Sequence, residues 1–358
     1  MTNMDAKALT AEAVELLCRM VERPSVSREE KEVADLLESF MNANGLCPQR
    51  AGNNLWCIAP QFDAENRPTL LLNAHIDTVK PSASWTRDPF TPTREGDRIY
   101  GLGTNDDGAS VVCLLQAFRT LSRKPQPYNL IFLASCEEEV SGKNGIESVL
   151  PLLPPIDVAL VGEPTGMQPA IAEKGLMVLD VTAHGKAGHA ARNEGENAIY
   201  KAMKDMEWFR TYRFPETSPL LGDVKMSVTI VHAGTQHNVV PDQCTFTVDV
   251  RSNENYSNEE IFRTVCAHVG SEVKARSFRL NSSRIDENHP LVKRAKALGR
   301  TPFGSPTLSD QALMRFPSLK MGPGDSSRSH TADEYITVTE IREAIGMYID
   351  LLDGQALE

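Results

Sequence analysis

Basic side chains are in the minority in this 358-residue chain: 37 Lys and Arg stand against 48 Asp and Glu, a formal charge of −11. With a pI near 5.3 there is no basic face to meet a phosphate backbone, which argues against a nucleic-acid binder. Long apolar runs are also missing. None approaches the roughly 18 residues that a bilayer-spanning helix needs. The opening MTNMDAKALTAEAVELLCRM carries charges throughout, unlike a signal peptide. Cysteine is scarce: seven residues, an odd number, with no CxxC spacing and several inside apolar runs such as VVCLL. That pattern argues against a disulfide framework and reads as small buried hydrophobes in a reducing compartment. Internal repeats and low-complexity segments are lacking too. The expectation is a cytoplasmic protein with neither a membrane nor a nucleic acid as partner.

What remains is ordinary globular composition, 41% hydrophobic and 24% charged, at a length that implies two domains. Residues 10–22 and 27–44 show helical spacing of apolar positions, with Ser25 and Ser27 as capping candidates around Pro24. NLWCIAP, PTLLLNAHID, NLIFLASC and DVALVGEP read as buried strands, separated by helical stretches such as GASVVCLLQAFRTL. Strands alternating with helices predict an α/β fold, here a mixed sheet flanked by helices. Near residue 174 the pattern changes to a β-α-β-β-α-β order, which predicts a small ferredoxin-like α+β layer. Past about residue 284 the first pattern returns. The expected domains are therefore 1–173 and 285–358, together one domain, with 174–284 inserted.

Ligands of open α/β sheets bind outside the carboxyl ends of the strands. Those ends carry His75 and Asp77 (LLLNAHID), Asp106 and Asp107 (YGLGTNDDG), Glu137, Glu138 and Glu139 (LASCEEE) and Glu163 (ALVGEP), with His330 in GPGDSSRSHTADEY. Each has a plain structural reading: a hydrogen-bonded histidine, a helix-capping aspartate, a solvated glutamate run. Together those readings fail, because several strand ends would aim acids at one crevice with no compensating charge. Divalent metal resolves the conflict. Histidine and carboxylate without thiolate suits zinc, cobalt or manganese in a catalytic site. In His75-x-Asp77 the aspartate can accept the second ring N–H and fix the ligating tautomer.

HIDTV, CEEEVSG, GEPT, GHAARNEGENAI, NVVPD, DVRS and GPGD…H, in this order, resemble the zinc metallopeptidase family that holds acetylornithine deacetylase, succinyl-diaminopimelate desuccinylase, carboxypeptidase G and aminoacylases. The likeness spans nearly the whole chain, and GEPTGMQPAIAEKG with the GPGD…SHTADEY tail looks most like the acetylornithine deacetylases. It implies a zinc-exopeptidase-like catalytic domain with a lid that also mediates homodimerisation. It further implies two Zn2+ per subunit, replaceable by Co2+ or Mn2+. Asp106 would bridge them, His75 and Glu163 would hold one ion, and Glu139 and His330 the other. Asp77 would orient His75, and Glu138 would be the general base. In the lid, His189 would steady the oxyanion, while Asn238 and Arg251, with Gly324 of the GPGD motif, would contact substrate. Arg251 as a structural ion pair and Asn238 as a turn residue stand as alternatives. Where the family usually reads GRGxxDMKGG, this chain has Leu102 and Gly108 in place of the Arg and Lys, and Asp107 becomes a second bridging candidate. Glu137 carries no implied chemistry beyond support.

The implied reaction is metal-dependent hydrolysis of an N-acyl amino acid, N2-acetylornithine to ornithine and acetate in arginine biosynthesis. N-succinylornithine and N-acetyl- or N-succinylcitrulline are alternative substrates. A di- or tripeptidase and a metal-binding scaffold without catalysis are the rival functions.

Overall fold

The computed structural model describes residues 3–192 and 194–357. The chain divides into two compact units, one from Met1–Ile171, Ile285–Phe303 and Ser309–Glu358, the other from Ala172–Arg284 with Gly304–Leu308. The short segment 304–308, which the sequence pattern joins to 285–358, thus belongs to the second unit.

The first unit is built on a mixed sheet. From Gln49–Ala51 it runs through Asn54–Ile58, Asn129–Ser135, Thr69–His75, Val158–Val161 and Ser318–Lys320 to the strand beginning at Ala170. The four strands from Asn129–Ser135 to Ser318–Lys320 are mutually parallel, so their carboxyl ends point one way. Every position of these four strands is buried, because both faces of the sheet are covered. Leu70, Leu72, Ala74, Leu130, Phe132 and Ala134 pack on one side against the helices Asn3–Val21, Lys31–Ala43, Ala109–Leu121 and Val338–Leu352. Leu71, Ile131 and Leu133 point to the other side, against Ile146, Val149 and Met314. The alternation follows from the two-residue period of a strand.

Helix Val338–Leu352 opens with a capping box between Thr337 and Glu340. The helix Lys31–Ala43 begins differently from expectation. Its N-cap is Glu30, with no side-chain cap, and Ser27 is drawn off to bind Asp77 instead.

The second unit has strands Met177–His184, Lys225–Ala233, Gln243–Arg251 and Glu272–Ala275, with helices Ala198–Thr211 and Asn258–His268 between them. Numbered one to four, the strands lie in the order 2-3-1-4, all neighbours antiparallel, which is the ferredoxin-like arrangement. Its own core gathers Leu179, Val181, Phe209, Phe246, Val248, Ile261 and Val265. Among the described residues no helix is long and apolar enough to cross a membrane.

Candidate metal centre

The parallel strand Thr69–His75 ends by delivering His75, 3% exposed, with Asp77 fully buried two residues on. The Nδ1 of His75 meets the Asp77 carbonyl at 2.9 Å and its carboxylate at 3.5 Å. That leaves Nε2 facing the crevice, 3.2 Å from Asp106 Oδ1 and 3.9 Å from Glu138 Oε2. The other oxygen of Asp106 lies 3.7 Å from His330 Nε2, and His330 also meets Glu139 at 2.9 Å. Asp106 therefore sits with one oxygen toward each histidine. Ligand atoms of His75, Asp106 and Glu139 lie within 4.8 Å of one another, as do those of His75, Glu138 and Glu163. Five residues of the expected ligand set and Glu138 converge on one place. Asp107, the alternative bridge, is 1% exposed but joins neither group.

Three buried acids build the loops that carry these groups. Asp77 accepts the backbone N–H of Glu138 at 2.9 Å, that of Glu139 at 3.1 Å and the Ser27 hydroxyl at 2.7 Å. It thus sets both the imidazole and the glutamate turn. Glu30, fully buried, accepts the Glu137 N–H at 3.2 Å and the Asn53 amide at 2.9 Å. Glu334, 2% exposed, accepts N–H groups of Asn105 at 2.7 Å, Asp106 at 2.9 Å and Gly103 at 3.0 Å. The Asp106–Asp107 peptide in that turn is cis. Sequence reasoning passed over Glu30 and Glu334. The only hint was a carboxylate near each motif, and nothing in spacing says which backbone it will meet.

Glu137 has a left-handed backbone, φ 57°. Its carboxylate accepts from Asn144 at 2.9 Å and lies against Gly142, where a Cβ would come within 1.9 Å of it. It stands apart from both candidate ligand groups. Gly324, at φ 85°, packs on the Asn105 side chain, and a Cβ there would meet Asn105 Oδ1 at 2.2 Å. The Gly108 position has no room for a lysine, because a Cβ would be 2.5 Å from the Gly103 carbonyl and 2.8 Å from Leu17. The positive charge near the acids comes from Lys320 instead, 2% exposed, whose ammonium opposes the upward push on Glu163.

Electrostatically the cluster is short of positive charge. Burial pushes Glu138 well above the usual carboxylate range, and Glu163, Asp310 and Glu139 add to it against His75. Burial likewise drives Glu163 well up. Burial opposes protonation of His75, yet Asp106 and Asp77 outweigh it and hold its pKa well above normal. Carboxylates crowded and desolvated in this way are what a divalent cation neutralises. The donors, two imidazoles and several carboxylates with no thiolate among them, suit Zn2+, Co2+ or Mn2+. Cys136, next to the glutamates, points its sulfur to the Asn144 carbonyl. The residues fit a metal centre.

In the second unit, His189 and Asn238 are brought together: Gly188–His189 pairs with Val239–Val240, and the Ala190 N–H donates to the Asn238 carbonyl at 3.0 Å. Both side chains are exposed. Arg251 is not beside them. It ends the strand Gln243–Arg251, whose first residue pairs with His184, and its guanidinium grips Asp249 at 2.8 and 3.0 Å. The ion-pair alternative for Arg251 is thus the contact present. Of the histidines without an implied role, His289 caps the helix Pro290–Ala297 and His184 pairs with Glu272 at 3.2 Å.

Comparison with known proteins agrees with this geometry. An acetylornithine deacetylase of Yersinia pseudotuberculosis is 28% identical over 326 residues, covering 83% of this chain and 82% of its own. A succinyl-diaminopimelate desuccinylase of Corynebacterium glutamicum is 28% identical over 363 residues, 94% of each chain. In fold, a Staphylococcus aureus tripeptidase superposes with a TM-score of 0.74 at 20% identity over 96% of this chain and 97% of that one. A dinuclear metal-binding peptidase of Bacillus subtilis gives 0.71 at 16% identity over 97% and 98%. The family model for peptidase family M20/M25/M40 matches residues 71–354. On that match the chain belongs to peptidase family M20/M25/M40 and is an enzyme of this metal-dependent hydrolase family.

Proposed function

We propose that the chain hydrolyses the amide of an N-acyl amino acid, with N2-acetylornithine to ornithine and acetate as the leading reaction. The observation that carries the reading is the Asp106 carboxylate, 3.2 Å from His75 and 3.7 Å from His330, with Glu138 alongside. His75, Asp106 and Glu163 would hold one Zn2+, and Asp106, Glu139 and His330 a second, with Co2+ or Mn2+ as substitutes. Bound divalent ions polarise the scissile carbonyl and acidify water. Glu138, desolvated and 3.9 Å from His75 Nε2, takes the proton of the attacking water and returns it to the leaving amine. Asp77 keeps Glu138 in reach by holding its backbone N–H, and keeps Nε2 of His75 turned to the crevice. On the family pattern His189 steadies the oxyanion and Asn238 and Gly324 contact substrate. Arg251 would do so only by sharing its fork with Asp249.

The same reading makes the second unit a lid and the contact of a homodimer. Supporting it, Tyr200, Met203, Ile230 and Val231 are exposed, the first two on a helix and the others on the sheet-edge strand packed beside it. Seven free thiols accord with a cytoplasmic location. The test is a turnover screen of acetyl- and succinyl-ornithine and -citrulline against a free dipeptide, with zinc or cobalt added. Turnover of the dipeptide alone would replace the deacylase with a peptidase. No turnover of any, with metal bound, would favour a scaffold.

A further inference from the structure

On the sheet face that carries His75 lies one more acid, from a distant part of the chain. Asn73 and His75 are two apart on their strand and so face the same side, and Ser135 on the neighbouring strand is registered against His75. That face is otherwise apolar, lined by Leu71, Leu133, Val161, Leu313 and Met314. Into it comes Asp310, 4% exposed, at the start of a tight turn Asp310–Leu313. Its Oδ2 accepts the Ser135 hydroxyl at 2.6 Å. In the orientation that gives both ends of the Asn73 amide a partner, its nitrogen donates to the same oxygen at 3.2 Å. The turn is itself pinned, since Gln311 donates to Ser318 on the strand Ser318–Lys320 at 2.8 Å.

A carboxylate under an apolar sheet face is costly, and for stability alone a well-packed hydrophobe would serve at least as well. Its neighbours say what it does. Ser135 is the last residue before the Cys136–Glu139 segment, and Asn73 lies one side-chain repeat before His75. Of the charged groups of the centre, His75, Asp77 and Glu138 lie near enough to interact with it electrostatically. We propose that Asp310 is a positioning residue of the metal centre, its carboxylate clamping together the two strand ends that present His75 and the glutamate turn. This rests on the reading of the cluster as a metal centre. Because both donors address one oxygen, the clamp needs hydrogen-bond geometry and not charge, so an amide can replace the acid.

Cobalt titration followed by its visible absorption tests this without turnover. Asp310→Ala is expected to weaken cobalt binding about 10- to 100-fold and to alter the band shape, as loss of partners behind a ligand does. Asp310→Asn is expected to restore affinity and spectrum to nearly wild type. An unchanged spectrum and affinity in Asp310→Ala overturns the proposal. So does an Asp310→Asn variant as impaired as Asp310→Ala. If Asp310→Ala does not fold, Ser135→Ala carries the test, with a smaller weakening expected and an unchanged spectrum refuting. A wild-type chain that takes up no cobalt fails at the earlier step and overturns the metal-centre reading itself.

Discussion

Truncating Glu334 to alanine probes whether the Asp106 turn is held from behind. The carboxylate accepts three backbone N–H groups, two on Oε1 from Asn105 and Asp106 and one on Oε2 from Gly103. Alanine leaves all three donors buried without a partner, at about 1 kcal/mol or more each, so the loss is on the order of 3 kcal/mol. The burial that raises the Glu334 pKa to about 8 offsets part of this, because a costly charge leaves with it. Glutamine separates the terms. Its carbonyl oxygen can keep Asn105 and Asp106, but its NH2 then faces the Gly103 N–H, one unpaired donor worth about 1 kcal/mol. For a unit of this size these losses lower the melting temperature by roughly 6–12 °C for Glu334→Ala and 2–4 °C for Glu334→Gln. Calorimetry of the metal-free protein reads both. Equal shifts for the two variants, or no shift in Glu334→Ala, would refute the three-bond account.

Other consequences are as direct. Glu138→Gln should lower turnover by about 10²- to 10⁴-fold while cobalt uptake stays at the wild-type level, since the base and not a ligand is removed; an equal loss of metal would make Glu138 a ligand. His330→Ala should cut cobalt uptake from two ions to one per chain, read by elemental analysis, because Glu139 then stands without its imidazole neighbour. Thiol titration of the native protein should find Cys47 and Cys266 fast, as the exposed pair. Cys57 and Cys136, whose thiols burial pushes up to about 12, should react only on unfolding. If the proposed homodimer forms through the second unit, Tyr200→Glu with Met203→Glu should yield monomers by sedimentation without changing the melting of the first unit.

The fold was legible because its two periods are clean. Strands such as Asn129–Ser135 carry an apolar run, Leu130–Ala134, and are buried at every position, while Met177–His184 alternates buried and half-buried positions, which separates a sheet covered on both faces from one covered on one. The candidate centre was legible because His75, Glu139 and Glu163 follow closely on the carboxyl ends of parallel strands, where an apolar run stops at an imidazole or an acid, while Asp106 and His330 come in from turns. What escaped are the partners that meet backbone far away in sequence. Glu334 reaches Gly103 across 231 residues, and Asp310 reaches Ser135 across 175. No periodicity encodes such pairings. Ser27 illustrates the same limit: it carries a good capping residue's chemistry, yet it lies three residues before the N-cap Glu30, and its hydroxyl donates to the buried Asp77 carboxylate. Segment 304–308 failed for a related reason, since five residues are too few to show a change of pattern.

Metal content set against hydrolysis is the measurement on which the central claim stands most openly. Purified chain, dialysed with zinc and analysed for bound metal, should hold about two ions per chain. Chelation should remove the ions, lower the melting temperature and abolish hydrolysis of N2-acetylornithine or its acyl relatives, and added zinc or cobalt should restore all three. Absence of stoichiometric metal, or hydrolysis that survives its complete removal, would contradict the account.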